Sequence, residues 1–170
     1  PDGAGQHLLV TNTIIENLEK EGGVIASVDA KTAFTSVPWD CIVAAMEGAG
    51  FPTKIKDYIE SAMRSSTLTF EGKDIPNKCG TAQGDPLSSG LFCLTFDPVM
   101  QAIRKAAGGD AITISGCRAP TRSGFADDIN IVVKTMETAQ RCLYAADEIC
   151  EDLHMEFRPK KCWYISSVPG

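Results

Sequence analysis

Residues 124–133 read GFADDINIVV, in which two acids precede an apolar run that is typical of a buried strand. We predict that Asp127 and Asp128 lie in the tight turn that leads into this strand. A second apolar run, residues 24–28, also ends directly on an acid, Asp29. If the two strands are neighbours in one sheet, the three carboxylates converge at its edge.

Three converging carboxylates need positive charge, because like charges at close range repel and raise one another's pKa. Oxygen ligands with no His or Cys nearby favour Mg²⁺, which Mn²⁺ can replace, over zinc. Two such ions, about 3.5–4 Å apart, would activate an attacking hydroxyl and stabilise a leaving phosphate oxygen. The alternative is structural: Asp127 and Asp128 form an Asx-type turn, and Asp29 caps a strand end.

The rest of the chain alternates between helical and strand patterns, and Gly and Pro residues mark most of the boundaries. We predict helices from about Leu8 to Gly22, Pro38 to Gly48, Pro52 through Met63, Pro86 to about Ala107 and Thr135 to about Leu153. We predict strands at 24–28, 67–70, 112–114 and 129–133, and a last hairpin formed by Phe157 and residues 163–165. The turn at Asp127 and Asp128 is taken to join the strands at 112–114 and 129–133. This order predicts an α+β fold whose sheet is covered by helices on one face.

The composition excludes several classes of protein. Among 170 residues, 16 Lys and Arg stand against 22 Asp and Glu, so the net charge is −6. This balance argues against a protein that coats nucleic acid through a basic surface. Seven cysteines without a Cys-x-x-Cys pair indicate neither a zinc site nor a disulfide framework, and predict reduced thiols inside a cell. No apolar run reaches the roughly 18 residues of a membrane span, so no membrane partner is expected.

Four stretches resemble, in their order and spacing, the motifs of reverse transcriptases, most of all those of non-LTR retrotransposons and group II introns. They are ASVDAKTAF at 26–34, GTAQGDPLSSGLF at 80–92, GFADDINIV at 124–132 and MEFRPKKC at 155–162. The resemblance covers nearly the whole chain and implies an RNA-directed DNA polymerase, a nucleotidyltransferase. The alternative is a catalytically silent structural or binding module derived from such an enzyme.

The resemblance also implies an architecture. It is an α+β fold, the right-hand polymerase palm, with a ferredoxin-like antiparallel sheet, helices on one face, and partial fingers. We expect partial fingers at 1–22 and 41–82, the palm at 23–40 and 83–170, and no thumb. The missing fingers and thumb would be supplied by the rest of a longer protein, which is expected to be intracellular, and nuclear if it belongs to a retroelement.

By this resemblance Asp29 and Asp127 are catalytic ligands of two Mg²⁺ ions, which Mn²⁺ can replace. The backbone carbonyl of Ala30 would also face a metal ion. Asp128, the second acid of the turn, would be a weaker or indirect ligand.

The fourth motif supplies a candidate proton donor. Lys161 matches a lysine that is proposed to protonate the leaving pyrophosphate, and phosphate and metal charges would tune its pKa for that role. The neighbouring Arg158 and Lys160 are interpreted as a solvated basic turn.

Four residues are expected to bind substrate: Ala30, Phe34, Gln83 and Gly84. Phe34 lies at the aromatic position that, in the family, leaves no volume for a ribose 2′-hydroxyl and so selects dNTPs; the alternative is a core aromatic residue. Gln83 and Gly84 match the loop that contacts the nucleotide and the template, where Gly84 permits close backbone approach. The alternative for this loop is a plain helix cap with Asp85 at the N-cap.

The expected partners are an RNA template, a DNA primer and a dNTP. Five basic residues between the first and second motifs are predicted to follow the template: Lys54, Lys56, Arg64, Lys73 and Lys78.

The chain departs from the family pattern at four positions, none of which is a metal ligand: Thr35, Ser89, His154 and Arg158 replace a common Asp, Pro, Gly and Asn. An unrelated Mg²⁺-dependent phosphotransferase with Asp29 as nucleophile is a third alternative. Lys31, where such enzymes usually carry a second acid, disfavours it.

Overall fold

The computed structural model describes residues 3–31, 33–82, 84–125 and 127–167. Within these ranges the helices are α1 (Gly3–Glu21), α2 (Ala33–Ser36), α3 (Trp39–Gly48), α4 (Thr53–Arg64), α5 (Ser88–Ala107) and α6 (Met136–Asp152). The strands are β1 (Val24–Lys31), β2 (Thr67–Phe70), β3 (Lys73–Pro76), β4 (Thr113–Ile114), β5 (Cys117–Arg118), β6 (Arg122–Phe125), β7 (Asp128–Val133), β8 (Glu156–Phe157) and β9 (Trp163–Ser166). None of the described helices is both long and apolar enough for a membrane span.

Strand β1 is largely buried and pairs along both edges, which makes it the centre of a five-stranded antiparallel sheet. One edge pairs with β7, which in turn pairs with β6. The other edge pairs with β9 along residues 24–27 and with β8 at residues 30–31. In addition to the strands of this sheet, β2 with β3 and β4 with β5 form two separate hairpins.

The register between β1 and β7 gives one face of the sheet a gradient from apolar to acidic. Cross-strand partners share a face, and the side chains of each strand alternate between faces. The pairs that share this face are Ile25 with Val132, Ser27 with Asn130, and Asp29 with Asp128. The acids therefore lie at one end of a face whose other end is core.

Helix α1 covers the apolar end of this face. Ile14 and Leu18 of α1 form a buried cluster with Ile25, Ile112 and Val132. Burying each such side chain contributes about 1.5–3 kcal/mol to the stability of the fold. The residues of the opposite face are buried as well: Val24, Ala26, Val28, Ile129, Ile131 and Val133. Helix α1 consequently lies on the same face as the carboxylates.

The described residues fall into two compact units. The sheet unit consists of those within Pro1–Lys31, Pro98–Asp152 and Glu156–Gly170, and the helical unit of those within Thr32–Asp97 and Leu153–Met155. Helix α5 contributes residues to both units. The division into fingers and palm that the sequence suggested stays a prediction.

In the helical unit, the segment around α2 is bonded to the loop before α5. The Thr81 amide donates to the Phe34 carbonyl at 2.7 Å, and the Gly80 amide donates to the Val37 carbonyl at 2.8 Å. The indole Nε1 of Trp39 donates to the Gly80 carbonyl at 2.9 Å. These three bonds fix the backbone of the loop at its start.

The long helices and the central strand are confirmed. Thr135 caps α6, since its Oγ1 accepts a hydrogen bond from the Thr138 amide at 3.2 Å. The α+β class with an antiparallel sheet is also confirmed.

Two predicted strand pairings were wrong. Strand β7 pairs with β6, whereas β4, within the predicted strand at 112–114, pairs with β5. Strand β6 escaped prediction because its first residues, Arg122, Ser123 and Gly124, show no apolar alternation. The last two strands do not form a hairpin with each other, because each pairs with β1.

Two glycines allow the loop contact to be tested. Gly80 has a φ of 75°, and a Cβ there would lie 2.6 Å from backbone atoms of Thr35. Gly72 has a φ of 73°, but nothing lies within 4 Å of the corresponding position. We expect Gly72→Ala to lower the free energy of unfolding by about 1–2 kcal/mol, the cost of a positive φ, and Gly80→Ala by about 3 kcal/mol or more. Urea denaturation measures both, and equal losses would contradict the close backbone approach.

Candidate active site

The candidate site lies where β1 ends and β7 begins. Asp29 and Asp128 are direct cross-strand neighbours. Asp127 precedes β7, and its carbonyl accepts a hydrogen bond from the Ala30 amide at 3.4 Å. The structure therefore brings the three acids and Ala30 together at one edge of the sheet.

The carboxylate of Asp29 is held between two cations. The Nζ of Lys161 donates to Oδ2 at 3.3 Å, and the Nε of Arg158 lies 3.3 Å from Oδ1. The Asp29 side chain is only 16% exposed. Oδ1 is buried and accepts no hydrogen bond, so its contact with Arg158 is one of charge alone. Asp29 is thus neutralised from both sides.

A backbone turn delivers both cations. The Arg158 amide donates to the Asp29 carbonyl at 2.9 Å, which fixes the start of the turn on β1. The Arg158 carbonyl accepts hydrogen bonds from the amides of Lys161 and Cys162, at 2.9 and 3.1 Å. The interpretation of this segment as a solvated basic turn is correct for the exposed Lys160 but wrong for Arg158, which is paired with Asp29.

Asp128 lies in a partly desolvated and negatively charged environment. Its pKa is raised, first by partial desolvation of the carboxyl group and then by the negative charges of Asp127 and Asp29. The charges of His7 and Lys161 act in the opposite direction. The acids at the two strand ends of the sequence had predicted the second of these causes, the proximity of like charges.

A cleft of about 470 Å³ extends from the carboxylates along the same face of the sheet. Its further lining comprises His7, Leu8 and Thr11 of α1, together with Ser27, Asn130 and Trp163. Buried Asn130 donates through Nδ2 to Thr11 Oγ1 at 2.8 Å and lies 3.0 Å from Nε2 of His7. This polar network was not predicted from the sequence. Its one visible signal was the single amide inside the apolar run of β7.

Phe34 and Gly84, two of the residues predicted to bind the nucleotide, belong to the helical unit. Phe34 is half-buried and its ring stacks on buried Phe92, with 4.3 Å between centroids, so it packs in an aromatic core. Gly84 is exposed and has a φ of 95°, which favours glycine. Gln83 lies outside the described residues. Asp85 acts as a local cap, since its Oδ1 accepts a hydrogen bond from the Leu87 amide at 2.7 Å.

Two of the basic residues predicted to follow a template are engaged within the helical unit. Lys56 forms an ion pair with Glu47. The side-chain hydrogen bond within this pair is the main cause of the raised pKa of Lys56. Arg64 pairs with Asp40 and with Glu60, each at 2.9 Å. Their charge is therefore already neutralised in part.

The oxygen atoms of the site fit a divalent cation in their chemistry. All three side chains are carboxylates, which Mg²⁺ and Mn²⁺ prefer, and Oδ1 of Asp29 is buried with no hydrogen bond to satisfy it. Throughout the part of the chain that the structure describes, no three His, Cys, Asp or Glu side chains are grouped so that they could hold a metal ion. Side-chain movement would therefore have to accompany metal binding.

The sequence of this chain matches one family over nearly its full length. A sequence model of the family described as reverse transcriptase (RNA-dependent DNA polymerase) matches residues 4–168. The chain belongs to the reverse transcriptase family. The resemblance seen in the four motifs is thereby confirmed.

Curated relatives of this chain are retrotransposon proteins. It is 28% identical, over 99% of its length, to the Retrovirus-related Pol polyprotein from type-1 retrotransposable element R2 of Nasonia vitripennis. It is 23% identical, over 96% of its length, to the corresponding polyprotein of the type-2 element R2DM of Drosophila melanogaster. The chain spans only 17% and 16% of these two relatives. Because both relatives are polyproteins of R2 retrotransposable elements, the resemblance to non-LTR reverse transcriptases is confirmed.

Solved structures share the fold. Apo telomerase from Candida tropicalis aligns with a TM-score of 0.68 at 15% identity, over 98% of this chain and 35% of that one. Telomerase from Candida albicans, in complex with a fragment of telomeric RNA, aligns with a TM-score of 0.65 at 11% identity, over 99% of this chain and 31% of that one. The α+β architecture is thus that of a reverse transcriptase palm with fingers.

The raised pKa of Asp128 predicts a pH-dependent stability. An acid with a raised pKa ionises less readily in the folded chain than in the unfolded chain, so its ionisation destabilises the fold as pH rises. In EDTA at pH 7, we expect Asp128→Asn to raise the free energy of unfolding by less than about 1 kcal/mol, because the side chain is exposed. The gain should vanish below pH 3.8, the ordinary value for this carboxyl, where both states are protonated.

Urea denaturation across this pH range measures the effect. Asp147→Asn, at an exposed position of α6, is the control and should show no gain. A gain from Asp128→Asn that stays constant down to acid pH would contradict the electrostatic origin.

Proposed function

We propose that this reverse transcriptase chain is the palm, with part of the fingers, of an RNA-directed DNA polymerase. It would join a primer 3′-hydroxyl to the α-phosphate of a dNTP and release pyrophosphate. The observation that carries the proposal is the register that sets Asp29 opposite Asp128, with Asp127 beside them. Membership of the reverse transcriptase family supports it.

Asp29 and Asp127 would hold two Mg²⁺ ions, for which Mn²⁺ can substitute, together with the carbonyl of Ala30. When bound, the ions would activate the attacking hydroxyl and stabilise the leaving phosphate oxygen. Asp128 would act as a weaker or indirect ligand. Its pKa is raised first by partial desolvation and then by the charges of Asp127 and Asp29, which fits a carboxylate close to two others.

Lys161 would donate a proton to the leaving pyrophosphate. Its ammonium group bonds to Oδ2 of Asp29 at 3.3 Å, but its side chain is 57% exposed and is free to turn towards a triphosphate. Departure of this lysine from Asp29 would accompany substrate binding, since a single Nζ position cannot serve both partners.

Three further residues would contact the nucleotide or the template. Phe34 would exclude a ribose 2′-hydroxyl, Gln83 would hydrogen-bond to the nucleotide or template, and Gly84 would let the backbone approach. The open position at Gly84, with nothing within 4 Å of an added Cβ, is compatible with close approach by a ligand.

The proposed partners are an RNA template, a DNA primer and a dNTP. Residues 1–22 and 41–82 would belong to the fingers, and residues 23–40 and 83–170 to the palm, with the remaining fingers and the thumb in the rest of a longer protein. The chain spans about a sixth of its curated relatives, which fits this division. An intracellular, nuclear location follows if the protein serves a retroelement.

Primer extension on an RNA template tests the proposal directly. The protein used should contain this chain together with its flanking polypeptide, in Mg²⁺ or Mn²⁺. We expect Asp127→Asn to lower kcat by at least ~100-fold, about 2.7 kcal/mol, because it removes a metal-binding oxygen. Asp147→Asn on α6 is the matched control and should retain full activity.

A catalytically silent module is the other candidate outcome. It would be indicated if the longer protein extended no primer and if calorimetry detected no Mn²⁺ binding that depends on Asp29 and Asp127. Absence of this Mn²⁺ binding in a longer protein that does extend a primer would contradict only the metal assignment.

The role of Phe34 has a separate test. We expect Phe34→Val to raise the ratio of kcat/KM for an rNTP to that for a dNTP by roughly tenfold or more, because a smaller side chain leaves room for the 2′-hydroxyl. Both constants come from one preparation, so the ratio does not depend on the folded fraction. Phe96→Val, in the same aromatic stack, is the control. A similar change in both variants would show a packing effect in place of a steric gate.

A further inference from the structure

We propose that Arg158 sets how tightly Asp29 binds a divalent cation: its guanidinium group holds the carboxylate in an ion pair that the cation must displace. The inference rests on the proposed metal role of Asp29. It adds a positioning residue that lies outside the predicted set of catalytic and metal-binding residues.

The backbone keeps Arg158 at this carboxylate. Its own amide donates to the Asp29 carbonyl at 2.9 Å, and its carbonyl accepts two amide hydrogen bonds from the turn that follows. The guanidinium Nε lies 3.3 Å from Oδ1, and the Arg158 side chain is 35% exposed. The main chain of Arg158 therefore stays beside Asp29 even when its side chain moves.

The contact is of a kind that a cation can displace. Oδ1 of Asp29 accepts no hydrogen bond, so the guanidinium group neutralises it without saturating its lone pairs. A divalent cation at Oδ1 would meet a positive charge at close range, and repulsion in this half-buried site is only partly screened by solvent. Loss of the Arg158 charge should therefore strengthen cation binding.

Lys161 cannot account for the same effect alone. It bonds to the other oxygen, Oδ2, and its side chain is more exposed than that of Arg158. Its long side chain can turn away from Asp29, whereas the Arg158 main chain is itself hydrogen-bonded to the Asp29 carbonyl and keeps the guanidinium group within reach of the carboxylate. The two cations thus occupy different oxygens, and Arg158 holds the buried one.

The chain offers a matched control two residues further on. Lys160 carries the same charge in the same turn but is exposed, and none of the ion pairs found among the described residues involves it. Arg158→Gln and Lys160→Gln therefore change the net charge equally while only the first removes the contact with Asp29.

Titration calorimetry with Mn²⁺ on the 170-residue chain measures the effect. We expect Arg158→Gln to lower the Kd by roughly tenfold, about 1.4 kcal/mol, Lys160→Gln by less than about twofold, and Arg158→Lys to stay near the parent value. Asp29→Asn should abolish the binding and so identify the site. Arg158→Asn repeats the measurement if the Gln variant does not fold.

Equal affinities for Arg158→Gln and Lys160→Gln would overturn the inference and leave the polymerase proposal standing. Binding by Arg158→Gln where the parent chain binds too weakly to detect would support it. Failure of every variant to bind Mn²⁺ would overturn both the inference and the metal role of Asp29.

A metal-free experiment further separates the inference about Arg158 from the metal role of Asp29. In EDTA, a double-mutant cycle of Arg158→Gln with Asp29→Asn, followed by urea denaturation, should show a coupling that Lys160→Gln lacks. Absence of coupling would overturn the inference whatever the metal does.

Discussion

The register between β1 and β7 is the constraint on which the site depends. A shift by one residue would turn every side chain of one strand to the other face. Asp29 would then lie on the opposite face of the sheet, which is lined by buried residues such as Ala26 and Val28. An unpaired carboxylate there is costly. The packing of two apolar strands that are buried on both faces therefore fixes the position of the acids, although neither Asp29 nor Asp128 takes part in the core.

Positive charge reaches this acidic edge through the main chain. The hydrogen bond from the Arg158 amide to the Asp29 carbonyl continues the pairing of β1 with β8 by one residue. That bond places Arg158 and Lys161 beside the carboxylate. One backbone hydrogen bond thus extends the sheet and also positions the cations of the site. The two-residue strand β8 therefore influences the charge around Asp29.

The sequence predicted the acids because each follows an apolar run, and a strand end is a local property. It could not predict β6, whose Arg122, Ser123 and Gly124 pair through backbone groups that leave no side-chain pattern. It also could not predict that Arg158 contacts Asp29, since the two are distant in sequence and meet only through tertiary structure. The network between Asn130 and α1 was hidden for the same reason, although an amide within an apolar strand was a visible anomaly.

The distribution of charge explains how an acidic chain can belong to a family that acts on nucleic acids. Lys56 and Arg64, predicted to face a template, are paired with carboxylates of their own unit. The cations of the sheet unit that lie nearest the cleft are paired with Asp29. A phosphate backbone would have to compete for each of these pairs, so the free energy of binding includes the cost of breaking them. Under the proposed function, cations bound at the acids would lower this cost twice, because they would neutralise the edge of the sheet and would release Lys161 towards the phosphates.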